Sequence, residues 1–264
     1  MTRVMAVLLL AALPTAALHA QRGRGAGAGQ AASPQQAAPV DLTGYWVSVV
    51  SEDWRYRMLT PPKGDVAGIP LNAEARKLAD AWDPAKDAAA GEACRAYGAA
   101  GLMRLPGRLH ITWQDERTLK IETDAGTQTR LLRFGGAGAG AAAAADAPER
   151  TWQGKSVAAW DATQGGGAAR WGTLRVVTTQ LRPGYLRKNG APYSENTALT
   201  EYFDLQSGPR NSTWITITTI VNDPKYLTQE FITSTDFRKE PDGSKWKPTP
   251  CSIDPPVVRP LPGR

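Results

Sequence analysis

The chain has 264 residues, enough for one large β domain or two small ones, and nothing in it reads as a second core. Its formal charge of +6 is spread over single Lys and Arg residues without a dense basic run, which argues against nucleic acid as a partner. Two histidines and two cysteines supply no Cys/His cluster for zinc or haem, so no metal and no cofactor are expected.

The N-terminus, Met1-Thr2-Arg3 followed by an apolar run over 4–10 and small residues up to Ala20, reads as a secretory signal peptide (1–20) and is too short for a spanning helix. No later stretch approaches membrane-spanning length, so the expected mature protein is periplasmic or secreted after cleavage near Ala20. Losing residues 1–20 removes Arg3 and His19, takes the charge from +6 to +5, and leaves His110 as the one histidine. In an oxidising compartment Cys94 and Cys251 are expected to pair as a disulfide that ties an early helical region to the C-terminal tail.

Residues 21–40, rich in Gly, Ala, Gln and Pro, read as a disordered leader, because so little apolar bulk does not offset the entropy of ordering. A folded domain is expected over 41–240 and a surface tail over 241–264. Residues 41–50 form a first strand, and 54–59, which alternates Trp54, Tyr56 and Met58 with arginines, a second short strand or a bulged extension. If that run joins the wall in one register, Tyr56 faces inward; the reverse register turns it out. Asn72 caps a helix over 73–82, and a second helical piece covers 88–97 around Cys94.

Strands resume at 108–114, 118–123 and 127–134. Alternation puts Leu109, Ile111 and Trp113 on one face and His110 on the other, polar one. A Gly- and Ala-rich insertion over 135–148 reads as a low-complexity hairpin; its Gly136 and Gly138 lack the βαβ unit and acidic residue that a dinucleotide fingerprint needs. A strand over 151–161 follows, with Trp152, Ser156 and Trp160 on one face, and then runs at 174–182, 199–205, 214–221 and 231–237. Between 182 and 196 lies a loop longer than a connection needs. It holds Tyr185, Arg187, Tyr193 and Glu195, read as a binding mouth.

In the run 199–205, Glu201 shares its face with Leu199, Phe203 and Leu205. The same alternation turns Thr219, Thr233 and Thr235 towards the apolar side of their strands. A carboxylate there has to be paired, hydrogen-bonded or protonated, since burying an unpaired charge costs several kcal/mol. Arginines, Tyr56 and these threonines are its expected partners. Nine strands, ten if 54–59 is separate, mostly joined by hairpins, argue for an all-β fold with one or two short helices: an antiparallel barrel of nine to ten strands.

Leu42-Thr43-Gly44-Tyr45-Trp46 resembles the Gly-x-Trp opening of the first strand of lipocalins and related calycin barrels, and Arg238 is similar in place to the arginine that covers that Trp. The mature chain also resembles a group of uncharacterised exported bacterial lipocalin-like proteins. The match rests on Thr151-Trp152-Gln153-Gly154-Lys155-Ser156-Val157-Ala158-Ala159-Trp160, on Ser194-Glu195 before Glu201-Tyr202, and on the Asp223-Pro224 turn. This resemblance implies a lipocalin-like barrel and brings no activity with it.

Three functions stay open. One is a binding barrel for a small, mostly apolar molecule oriented by Glu201 and nearby hydroxyls, the small molecule being its one expected partner. Another is a cofactor-independent isomerase, cyclase or lyase with Glu201 and Tyr56 as acid and base. The third is a structural envelope protein. Oligomeric state leaves no mark in the sequence.

Overall fold

The structure, a computed structural model, describes residues 32–135, 149–164 and 170–256; for 162–164, 170 and 171 it describes the backbone alone. Nine strands close into a barrel: β1 (Gly44–Val49), β2 (Arg108–Asp115), β3 (Thr118–Thr123), β5 (Thr129–Phe134), β6 (Lys155–Gln164), β7 (Arg170–Thr179), β10 (Ala198–Ser207), β11 (Thr213–Asn222) and β12 (Phe231–Glu240). Four shorter strands lie outside the wall: β4 (Ala125–Gly126), β8 (Gly184–Arg187), β9 (Ala191–Tyr193) and β13 (Thr249–Pro250). The order round the barrel is β1-β12-β11-β10-β7-β6-β5-β3-β2, and β2 returns to β1. The nine expected wall strands are all present.

The wall departs from an all-antiparallel meander at one seam. β5 and β6 run parallel, with Leu132 beside Ser156 and Phe134 beside Ala158. They therefore do not form the hairpin expected around the Gly/Ala insertion, whose residues 136–148 lie outside the described residues. β6 also begins at Lys155 rather than 151, because Gly154 sits at φ +59 and turns the chain. Trp152 is thereby left outside the wall, under the Arg182 guanidinium at 4.5 Å.

Long β-branched runs explain the strands themselves. β11, Thr-Trp-Ile-Thr-Ile-Thr-Thr-Ile-Val-Asn, buries every second residue from Ile215 to Val221. Inward residues of the nine strands build one apolar cluster around Trp46, Ile111, Leu132, Phe203, Ile217 and Phe237. Trp113, Phe134 and Trp160 finish it with ring centroids 5.5 Å apart. Of the expected leader, residues 32–40 are described and lie against this end: Trp160 donates from its indole to the Pro34 carbonyl, and Val40 packs on the cluster. The cation over the Trp46 ring is Lys239, at 5.2 Å, and not Arg238, which pairs with Val47 and Trp214 in the ladder.

A second apolar cluster caps the other end. It joins the ends of three wall strands, Leu199, Val221 and Phe231, to Leu71, Ala75 and Ala79 of the helical insert and to Leu186 and Tyr193. The cap holds four short helices, α1 (Trp54–Arg57), α2 (Ala73–Ala81), α3 (Pro84–Ala89) and α4 (Ala99–Leu102), and a 3-10 turn over Ala93–Tyr97. Asn72 caps α2 as expected, its side chain accepting from the Ala75 amide at 2.9 Å. The second helical piece is split in two near Gly91, whose φ of +71 breaks the helix.

Residues 54–59 are not a strand. Trp54–Arg57 is a single helical turn entered through Asp53 at φ 47, with Trp54 and Met58 more than half exposed and Arg57 buried. Within the long loop read as a mouth, β8 and β9 pair, and both strands are buried against the cap. Cys94 and Cys251 are bonded, with Cα atoms 5.2 Å apart. The tail they hold adds β13 parallel to β4.

Candidate functional site

Between the two apolar clusters lies a polar layer. Six strands that neighbour one another in the wall each contribute to it: Arg130 from β5, Ser156 from β6, Thr178 from β7, Glu201 from β10, Thr219 from β11, and Thr233 and Thr235 from β12. Alternation puts each on the inner face, and the register brings them level: Glu201 stands opposite Thr219 and Val176, Thr219 opposite Thr233, and Ser156 opposite Thr178.

Glu201 is fully buried and Arg130 is 1% exposed. The guanidinium grips the carboxylate at both ends, Nη1 to Oε1 at 2.9 Å and Nη2 to Oε2 at 2.5 Å, the two-pronged geometry in which such pairs are strongest. Arg130 Nη2 also reaches Thr178 Oγ1 at 3.3 Å, which shares a hydrogen bond with Ser156 Oγ at 2.8 Å. The charges cancel within the layer. Its hydrogen bonds do not: Thr219 Oγ1, Thr235 Oγ1 and Arg130 Nε have no partner among the described residues. Buried polar groups almost always find one, so three such atoms in one inner layer mark a place suited to a hydrogen-bonding guest.

Of the residues expected at a ligand site, Glu201, Thr219, Thr233 and Thr235 are brought together. Arg130 is the partner left unnamed in the sequence reading, although it alternates with Leu132 and Phe134 and so had to face inward. The others stand elsewhere. Tyr56 rides on α1, with the Arg187 guanidinium over its ring at 4.2 Å, so it is not the partner expected for Glu201. Arg187 donates to the Asp65 and Ala67 carbonyls at 3.1 and 3.0 Å. Burial pushes its pKa down to about 10, with repulsion from Arg104 adding to the fall.

Tyr185 donates to Asp87 Oδ2 at 2.8 Å, and burial raises its pKa well above the usual phenol range. Asp87 also accepts from the Trp82 indole and from Arg95. Tyr193 is buried in the cap, its pKa likewise raised by burial, and its hydroxyl has no partner among the described residues. Glu195 lies at the surface and pairs with Lys225 at 3.2 Å. The neighbouring Ser194 donates from amide and hydroxyl to the buried Asp223 carboxylate at 2.6 and 2.7 Å, so the Ser-Glu and Asp-Pro elements meet and pin the cap hairpin to the β11–β12 turn.

His110 lies on the outer face, stacked on Tyr45 at 4.1 Å and 3.3 Å from Glu122. Among the described residues no helix is long and apolar enough to cross a membrane, which says nothing of strands. No family model matches the chain, and no curated protein or solved structure matches it significantly, so the barrel and its polar layer are what the chain offers for a functional reading.

Proposed function

We propose that this is an exported binding barrel of lipocalin-like build, holding one small ligand at the polar layer of its lumen. The observation that carries the reading is the set of buried polar atoms without a protein partner, Thr219 Oγ1, Thr235 Oγ1 and Arg130 Nε, arranged beside a charge-neutral ion pair. Leaving a buried donor or acceptor unmade costs about 1–3 kcal/mol, and a ligand that supplies the missing hydrogen bonds recovers that free energy on binding. Apolar walls with a few placed polar groups are the usual composition of such sites. Phe203 and Ile217 on one side and Leu199 and Val221 on the other suit the mostly apolar body of the ligand, while its polar end meets the threonines and Arg130.

The acid–base enzyme reading has less support. Both Glu201 oxygens are held by Arg130, and Tyr56 sits on α1 beside Arg187. Native mass spectrometry of the protein purified from the extracellular or periplasmic fraction tests the proposal. A retained small molecule that is lost from a Thr219→Val, Thr235→Val double variant of unchanged fold is the expected result. The same mass with and without denaturation, for the wild-type protein, overturns it.

A further inference from the structure

Away from the lumen, the cap gathers three arginines into one cleft. Arg57 from α1, Arg104 just after α4 and Arg187 from β8 line it together with Tyr56 and Lys188. All three arginines are over nine-tenths buried. Guanidiniums are normally buried with a carboxylate each, because an uncompensated buried charge is costly.

That compensation is incomplete here. Among the described residues Arg187 makes no ion pair; its two nitrogens donate to backbone carbonyls. Arg57 pairs with Glu52 and donates from Nε to the Arg104 carbonyl, but its Nη2, in a side chain 1% exposed, has no partner among the described residues. Arg104 pairs with Asp53 at 2.7 Å. Both acids stand at the rim, with side chains 36% and 48% exposed, and Asp65 is engaged by Arg55 at 3.3 Å. Burial lowers the pKa of Arg57 and Arg187, and Arg104 adds repulsion to each. Three cations thus face one cleft whose nearby acids, Glu52, Asp53 and the Asp65 shared with Arg55, are all partly solvated, and one buried Arg57 N–H has no acceptor among the described residues.

We propose that this cleft is a second binding site, separate from the lumen, which takes a single oxyanion, the carboxylate or phosphate group of a small solute. The free Arg57 N–H donates to one oxygen, and Arg104 and Arg187 supply the opposing charge. A planar guanidinium matches either group's geometry.

The test is calorimetric titration of the purified, disulfide-intact protein with sodium phosphate and, separately, sodium succinate, with ionic strength held by sodium chloride. Saturable binding of phosphate alone identifies a phosphoryl site, of succinate alone a carboxylate site, and of both a general oxyanion site. Arg57→Met is expected to weaken binding at least about tenfold, the worth of one charge-assisted hydrogen bond. Glu52→Gln, which changes a half-exposed side chain and leaves the three arginines in place, is expected to tighten it several-fold by removing the carboxylate that competes for Arg57. The proposal is overturned if neither anion saturates, or if Glu52→Gln binds no more tightly than wild type.

Discussion

The polar layer of the lumen and the arginine cleft of the cap bury the same kind of side chain in opposite ways. In the lumen Arg130 is balanced charge for charge by Glu201, while hydroxyls beside it go without partners. In the cap Arg187 donates its hydrogen bonds to backbone carbonyls and makes no ion pair among the described residues; Asp53 and Asp65 act on it only from a distance. A closed wall surrounds the first site with apolar layers on both sides, where an unpaired charge is least tolerable. The second lies at a cleft open to water, where solvent shares the cost.

Breaking the lumen pair should therefore have the largest effect. Arg130→Met strands the Glu201 carboxylate and is expected to cost about 3–5 kcal/mol, measured by urea unfolding. Arg130→Met with Glu201→Leu is expected to recover most of that loss, because apolar replacement of a buried pair is often neutral. Equal losses in the single and double variants would mean that packing, not charge, holds the layer. Cutting the disulfide comes next. Cys94→Ala with Cys251→Ala opens a loop closed over 157 residues, for an expected loss of about 2–5 kcal/mol and an increase in proteolysis of the tail.

Arg187→Met tests the other half of the comparison. It leaves two carbonyls unmet but no stranded charge, so it should cost only about 1–3 kcal/mol, clearly less than Arg130→Met. If the two cost the same, the contrast between the sites fails. The smallest effect belongs to the tail. The Lys188 ammonium, 2.6 Å away, holds the Asp254 pKa below its ordinary 3.8. A depressed carboxylate stabilises the fold above its unfolded value and ceases to do so as pH falls through the folded one. The melting curves of wild type and Asp254→Asn should then differ by about 1–2 °C at neutral pH and converge below pH 3.8.

How much of this was written locally in the chain differs between the same two regions. Wall strands obey a period of two, so Glu201, Thr219, Thr233 and Thr235 can be assigned to the inner face from alternation alone, and Arg130 follows by the same rule. What alternation does not give is the register that sets Glu201 level with Thr219, which the turn over 208–212 joining β10 to β11 decides. The cap resists such reading. In Trp54-Arg55-Tyr56-Arg57-Met58 the pattern suits a strand, and the single helical turn it adopts follows from Asp53 at positive φ and from where Arg57 finds the Arg104 carbonyl, 47 residues on. The Gly- and Pro-rich segment around Tyr185 and Tyr193 reads as a long loop at a mouth because its burial comes from a distant helix, α2, and from the Ser194–Asp223 link.

Closure of the wall has a consequence for how the chain is made. The β1–β12 pairing sets Tyr45 beside Glu240 and Val49 beside Asp236, so the first wall strand waits for the last wall strand. Until then two raw edges stay open to pairing with other chains. Such long-range pairing is slow to form. A nascent chain emerging from a narrow passage therefore gains its finished shape only after nearly all of it is through, and a product truncated before Phe231 should gather into insoluble aggregates rather than persist as a smaller barrel.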